Sequence, residues 1–500
     1  MDGDNFRILA QKAGFELNEE EVRAMEEWYV SFSEQLALLD RIDTEDAEEM
    51  ILPETGSFHD TKTAVHDPSL ISTQTAAEAL DRAYRAQEEL GAVITFIPGT
   101  EGMPAAVKDN FDTAGIRTTG GSRILAENIP EEDAEAVRRL KKAGIAIIAK
   151  TAMDELSMGA YGTTCFTGPV HNPWDRERTA GGSSAGSAVL TAAGIVPLAL
   201  GTDTGDSIRR PASYCGIVGV KPSYGRISRR GVIPYAASLD HVGYFTRNIQ
   251  DARTALQILA GKDEGDPTSS ACPVPDYLIK NLSLKGKRIA VFDNAYAAER
   301  TPAIREAFSQ ILRFLWKQGA EVFMFTLEDE LMEAIRPVYS LIANSEGVQA
   351  HLRLGKGDLH TRTEGFGTAA KQRFTAGMWA LEHDSYIHKA RKVRRLISEH
   401  MYACLDTYDA LIAPTCSTIA PKLSEAGVHA ESKADPAEDH LILTNFSGQP
   451  SMSIPLGFSE GCPFGLCITC GMFREKEMFD IAEALEMYTG LKDLSVNREN

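Results

Sequence analysis

Apolar residues recur at helical spacing near the start of the chain, at Val22, Met25, Trp28/Tyr29, Phe32, Leu36 and Leu39. This predicts an amphipathic helix whose stripe needs a partner surface. Asn18, with Glu21 three residues on, marks its start as a capping box: the Asn side chain accepts first-turn N–H groups and the Glu reaches back to the cap. The following segment, RIDTEDAEEMILPETGSFHD, is acidic, extended and without period. A helical hairpin and such a tail cannot bury a core alone, so they should lie on another part of the molecule. From about residue 67 the pattern becomes α/β. Helices are predicted over Ala76–Leu90 and Glu135–Lys142, the latter leading through Gly144 into a strand at Ile145–Ile148. Arg288–Phe292, a helix opened by Pro302 (Ala303–Lys317) and Glu321–Phe325 form a βαβ unit with a parallel pair. One helical stretch is predicted from Phe374 to Leu405, strands around Leu411–Ala413 and Ser451–Pro455, and a helix over Glu477–Tyr488. The expected architecture is a layered α/β domain with helices on both sheet faces.

Charge divides the chain. Residues 1–66 hold 17 acidic and 5 basic side chains, a net of −12 out of −20 for all 500 residues. That asymmetry sets an expected boundary between an N-terminal unit, 1–66, and a second unit, 67–500. The overall negative charge argues against a broad nucleic-acid surface of the chain's own. No run of 18 apolar residues and no basic-then-apolar leader is present, so a cytoplasmic location is expected. The eight cysteines are scattered, which disfavours a disulfide framework. Cys462, Cys467 and Cys470 invite a zinc reading, but one CxxC without a second pair at ligand spacing is weak. No metal site is expected.

Candidate chemistry lies in three segments: VKDN with Lys108, GGSSAGSA from Gly181, and GTDTGDSIRRP from Gly201 to Pro211. A serine hydroxyl needs a base to become a nucleophile, and a lysine serves if desolvation lowers its pKa. Glycines beside the serine leave backbone N–H groups bare for an oxyanion. The tract Gly182-Ser-Ser-Ala-Gly186 is also a formal G-x-S-x-G, which would make Ser184 the nucleophile, although a loop rather than a strand precedes it.

These segments resemble the amidase signature family, whose corresponding motifs are GGSSGGS and GTDxGGSIRxP. The resemblance implies the amidase-signature fold, a large central mixed sheet with helices on both faces, here preceded by a small N-terminal helical segment with an extended tail. It also implies a Ser–Ser–Lys apparatus. Lys108 is the base, Ser183 the relay on a cis peptide bond, Ser184 its hydrogen-bonding neighbour and Ser207 the nucleophile. Backbone N–H groups of Thr204, Gly205, Asp206 and Ser207 form the oxyanion hole. Asp203 and Arg209 brace the loop, and Cys215 is a packing residue. The chain departs from the pattern at Asp206, where the family has glycine; a carboxylate there would oppose a developing oxyanion.

Met153–Gly159, Asn172–Asp175, Lys221–Ser228, Ser238–Asp240 and Glu364–Gly367 resemble the A subunits of tRNA-dependent amidotransferases. Leu17–Glu21 and Ile42–Asp46 are similar to the helix start and acidic element of the C subunits. The resemblance implies a glutamine site with Arg373 for the carboxylate, Tyr339 nearby, and Glu438 or Asp439 for the ammonium. Between Glu346 and Glu364 the chain is shorter than the family. It further implies a C–A fusion that releases ammonia from glutamine for a separate B subunit, which alone would hold tRNA, ATP and Mg; nothing in the chain resembles that partner. The alternatives are a free-standing amidase for another small amide or urea-like substrate, and a catalytically silent scaffold binding a B-like partner.

Overall fold

Eleven strands form one sheet among the described residues, which are 1–53, 74–299, 301–352, 358–426, 435–494 and 496 of this computed structural model. They are β1 (Val93–Phe96), β2 (Met103–Lys108), β3 (Ile145–Thr151), β4 (Leu198–Asp203), β5 (Val218–Lys221), β6 (His241–Thr246), β7 (Arg288–Phe292), β8 (Glu321–Phe325), β9 (Ala410–Pro414), β10 (Ser451–Ser459) and β11 (Cys462–Thr469). Their order is β1-β3-β2-β4-β6-β5-β10-β11-β9-β7-β8. β2 runs parallel to β3 and β4, and β7 parallel to β8 and β9. The remaining pairs are antiparallel, so the sheet is mixed.

The helices, in chain order, are α1 (Gly3–Lys12), α2 (Glu19–Leu39), α3 (Ala76–Leu90), α4 (Glu135–Lys142), α5 (Ala185–Ala192), α6 (Arg209–Cys215), α7 (Ile249–Leu259), α8 (Asp293–Ala298), α9 (Pro302–Lys317), α10 (Asp329–Leu352), α11 (Leu359–Gly365), α12 (Thr368–Glu382), α13 (Asp384–Thr407), α14 (Pro436–Asp439), α15 (Leu443–Ser447) and α16 (Glu475–Thr489). Successive strand residues face opposite ways, and this alternation sorts the core into layers. Ala105, Val107, Ile145, Ile147, Leu198, Leu200, Ile289, Val291 and Ile412 pack on one side with α4, α7, α9 and α16. On the other side, Ala106, Ala146, Ile148 and Ala199 meet α3, α5 and α6. Further along that same side, Ala290, Phe292, Leu411 and Ala413 meet α1, α2, α10, α12 and α13.

The sequence-based elements at 76–90, 135–142, 288–292 and 321–325 appear with those bounds. The predicted stretch from Phe374 to Leu405 is instead two helices. His383 Nδ1 lies 2.7 Å from the Trp379 carbonyl oxygen, the acceptor a continuous helix would give to the His383 backbone N–H, and that N–H turns to Ala380 O. α1 carried no readable stripe because only Phe6, Leu9 and Ala10 are buried on it; Asp2 caps its start.

Asn18 and Glu21 form the expected capping box on α2. Val22, Met25, Phe32, Leu36 and Leu39 are buried against α10, α12 and α13, with Tyr29 and Phe32 edge-on to Trp379. Glu21 also accepts from Lys371 Nζ at 3.1 and 3.3 Å, both side chains being buried. The acidic tail then lies along α13. Lys389 and Lys392 donate to the carbonyls of Ile42 and Thr44, Met50 N–H donates to Arg391 O, and Glu49 meets His388 and Arg391. The expected boundary at residue 66, and residues 54–60 of the tail, lie outside the described residues.

Candidate active site

Lys108 ends β2, and alternation from Ala106 turns its side chain toward the α5 side of the sheet. The side chain is fully buried there. Nζ lies 2.7 Å from Ser183 Oγ and 2.8 Å from Thr202 Oγ1, and Asn110 Nδ2 donates to the same Thr202 hydroxyl at 3.1 Å. Burial lowers the lysine pKa to about 7, outweighing the opposing pull of Asp154, Asp203, Asp240 and Asp206. A substantial fraction of Lys108 is therefore neutral at neutral pH.

Ser183 stands just ahead of α5, and the Gly182–Ser183 peptide bond is cis. Its carbonyl accepts from Asp154 N–H at 3.1 Å. The Asp154 carboxylate accepts from the N–H groups of Gly162, Thr163 and Thr164, pinning the loop that crosses the tract. A Cβ on Gly182 would come within 2.0 Å of Asp154 Oδ2, so only glycine fits. Ser184 Oγ donates to Thr202 O at 3.0 Å and accepts from Thr202 N–H at 3.3 Å. Its hydroxyl is thus committed to the backbone of β4.

The turn from Thr204 to Ser207 joins β4 to α6 and is anchored from below. Asp203 accepts from Arg209 at 2.9 Å, from Asn445 Nδ2 at 2.9 Å and from Ile208 N–H at 2.9 Å. Burial alone would raise its carboxyl, but the Arg209 charge outweighs that and holds it below the usual range. Arg209 Nη2 also takes the Gly205 carbonyl at 2.8 Å, and the Asp206 carbonyl accepts from Arg210 N–H at 2.9 Å. In a trans peptide the next N–H points opposite its carbonyl. The N–H groups of Asp206 and Ser207 therefore point away from Arg209 and the first turn of α6. Thr204 Oγ1 donates to Asp240 Oδ1 at 2.7 Å.

Ser207, Asp206 and Gly205 border a cavity of about 650 Å³. Tyr339, Arg373, Glu438 and Asp439 line the same cavity, so the four residues expected to form the glutamine site converge there, whereas Ser184 and Asp203 are not among its lining residues. A Cβ on Gly205 would sit 3.2 Å from the Tyr339 ring and hydroxyl, which puts that phenol over the turn. Lys108 and Ser183 lie buried beside the turn, whereas Ser207 reaches the cavity surface.

Arg210, Arg336 and Arg373 line the cavity, and the first two hold the carboxylates of Asp206, Glu438 and Asp439. Arg210 Nε donates to Asp206 Oδ2 at 2.6 Å and Nη1 to Glu438, whose other oxygen accepts from the Ser417 N–H and hydroxyl. Arg336 pairs with Asp439, and Asp439 also accepts from Asp435 N–H. Burial raises the Asp206 and Asp439 carboxyls despite these partners; for Glu438 the Arg210 charge wins and the carboxyl is lowered. Sequence reasoning treated Asp206 as an isolated departure and did not see Arg210, although the two stand four residues apart at the mouth of a helix. Thr202 and Asp154 stand inside segments the sequence singles out, GTDTGDSIRRP and Met153–Gly159, but no role was read for either; Arg336 was missed outright, with nothing in its local pattern to mark it.

All eight cysteines are free and buried. Among the described residues no group of three or more His, Cys, Asp or Glu is arranged to hold a metal ion. No described helix is long and apolar enough to cross a membrane.

The structure thus places a strand-end lysine against a serine of a Gly/Ser tract, with a Gly-Asp-Ser turn at a cavity. The Amidase family model matches residues 62–479, and the chain belongs to that family. Among curated relatives, the glutamyl-tRNA(Gln) amidotransferase A subunit of Moorella thermoacetica is 39% identical over 440 residues, covering 83% of this chain and 88% of that one. The crystal structure of the corresponding A subunit from Thermotoga maritima superposes with a TM-score of 0.73 at 34% identity, covering 83% of this chain and 91% of that one. A chain from a structure described as an unexpected vestigial protein complex, bearing on the origins of an s-triazine catabolic enzyme, matches with a TM-score of 0.70 at 30% identity and covers 93% of this chain and 96% of its own.

Proposed function

We propose that the chain is a Ser–Ser–Lys amidase that releases ammonia from glutamine as the A-type component of a tRNA-dependent amidotransferase. The observation that carries this reading is the 2.7 Å approach of a buried lysine, its pKa lowered to about 7, to Ser183 Oγ. Neutral Lys108 accepts the Ser183 hydroxyl proton while Ser183 accepts that of Ser207. Ser207 Oγ attacks the side-chain amide carbon, and the oxyanion forms against the N–H groups of the Thr204–Ser207 turn. The lysine proton returns through Ser183 to the leaving nitrogen, ammonia departs, and water cleaves the ester to glutamate. Arg373 and Tyr339 would address the amino-acid end of the substrate, with Glu438 or Asp439 for its ammonium.

Residues 1–66 would act as a fused C-subunit-like segment on the amidase unit 67–500. A B-type partner would bring tRNA, ATP and Mg, and this chain would need no cofactor of its own. The setting would be cytoplasmic. The names and identities of the relatives support the A-type assignment, and the way the tail lies along α13 supports the C-like one.

A second reading is favoured by the arginine pairs. Arg210 holds Glu438 and Arg336 holds Asp439, so neither carboxylate stands ready for an ammonium, and a neutral or urea-like amide then fits better. Steady-state ammonia release from glutamine, asparagine, simple carboxamides and biuret-type amides separates the two. Preference for glutamine supports the first. Activity confined to neutral amides supports the second. No release from any amide, alone or with a B-type partner, removes the enzyme reading and leaves a scaffold.

A further inference from the structure

The N-terminal helix α2 is not only packed on the rest of the molecule. While Val22, Met25, Leu36 and Leu39 point into the core, an adjacent stripe at Trp28, Ser31 and Gln35 borders the cavity that Ser207 opens into. The spacing of three and four residues places these side chains on one helix face. Trp28 is half-buried, its indole stacked on Phe32 at 4.6 Å, and Phe32 in turn sits edge-on to Trp379 of α12. α2 is held in this position by the Glu21–Lys371 pair, two residues before Arg373 on the same α12. The wall that carries Tyr339 and Arg373 is therefore continued by a helix from the first 40 residues.

We propose that α2 is a substrate-binding element: Trp28, flanked by Ser31 and Gln35, contacts the end of the amide substrate remote from the scissile bond. This rests on the amidase reading above. A cavity of about 650 Å³ is in the range that encloses a whole small organic molecule rather than its reacting group alone. Residues of α10, α12 and α2 line that cavity together with Ser207, so an occupant with its amide carbon at Ser207 shares the space with them. An indole face with a hydroxyl and a carboxamide beside it suits a remote end that combines a planar or apolar surface with hydrogen-bonding groups. α2 is thereby a determinant of which amide is accepted, and the Ser–Ser–Lys apparatus is not.

The test compares full-length wild type with Trp28→Ala, Gln35→Ala and, on the exposed side of the same helix, Glu34→Ala. Ammonia release is measured over glutamine and a series of longer amides. Loss of a remote contact should raise KM about tenfold in Trp28→Ala and Gln35→Ala while kcat stays within about threefold; Trp28→Ala, which also loses its stack on Phe32, should melt lower, and Gln35→Ala should melt with wild type. Glu34→Ala should match wild type. KM values equal to wild type in both folded variants overturn the proposal; should Trp28→Ala not fold, Gln35→Ala and Ser31→Ala decide it. If wild type turns over no amide, the amidase reading fails by itself. Binding is then read by tryptophan fluorescence on Ser207→Ala protein titrated with the same amides. A signal that disappears in Ser207→Ala/Trp28→Phe supports the contact. A signal that persists, or no binding of any amide, overturns it.

Discussion

The two ends of the cavity are built on different principles. At the turn end, an amine and hydroxyls meet within 2.8 Å: Lys108, Ser183 and Thr202, with Ser184 tied to the β4 backbone. These groups come from the ends of the neighbouring strands β2 and β4 and from the start of α5, and a hydroxyl can both donate and accept, so protons can be passed without moving heavy atoms. At the far end, α2, α10, α12 and α14 supply long, charged or aromatic side chains, and the α14 carboxylates Glu438 and Asp439 are paired with Arg210 and Arg336. Such pairs fix shape and charge but move no proton. The difference separates chemistry from selection, and mutation should separate them too.

The largest loss is expected at the turn end. Lys108→Ala should lower kcat by about 10²–10⁴-fold, the usual range for a general base, with the fold retained by circular dichroism. In wild type the base is the neutral amine, so the rate should rise with pH through about 7 and level off above it. A flat profile from pH 5 to 9 in a stopped ammonia assay would remove Lys108 from that role.

At the far end the largest effect is on stability. Glu21→Ala leaves Lys371 buried without its carboxylate and takes away half of the α2 capping box. The expected cost is about 3–5 kcal/mol, read from urea unfolding. A loss under about 1 kcal/mol would mean that α2 is held by its apolar stripe alone.

Arg210 links the two ends, since it neutralises Asp206 beside the turn and Glu438 across the cavity. Arg210→Ala takes away the charge that opposes burial at Asp206, so its carboxyl pKa should rise further; above that pKa the unpaired carboxylate faces the developing oxyanion and kcat should fall by up to about 10²–10³-fold. Asp206→Gly in the Arg210→Ala background should restore most of that loss, and a double-mutant cycle measures the coupling. The smallest change is expected for Asp206→Gly alone. With Glu438 still holding Arg210, kcat should shift by less than about tenfold; a larger rise would show that Asp206 hinders the oxyanion despite its partner.

The same contrast decided what could be read from the chain. Lys108, Ser183 and Ser207 sit in short motifs whose glycines and hydroxyls have few other uses. Gly182 is fixed by the 2.0 Å that a Cβ would leave to Asp154, a tertiary contact that the motif carries in a single residue type. The sheet was legible where short apolar runs follow a charged residue and flank a helix, as in Arg288–Phe292 and Glu321–Phe325. The far wall depends on tertiary packing of segments more than 300 positions apart, such as Trp28 and Arg373. No spacing rule reports that. The break at His383 turned on one imidazole taking a helix carbonyl, and Arg210 was overlooked because Asp206 was weighed against the family's glycine rather than against its own neighbour one turn on.

One consequence of α2 bordering the cavity concerns dilution. When a wall of a site is a separate polypeptide, its occupancy falls as the protein is diluted below the dissociation constant. Here residues 19–39 and Ser207 belong to one chain, so closing that wall is an intramolecular event whose probability is set by a local concentration. Specific activity should consequently hold constant from micromolar to nanomolar enzyme.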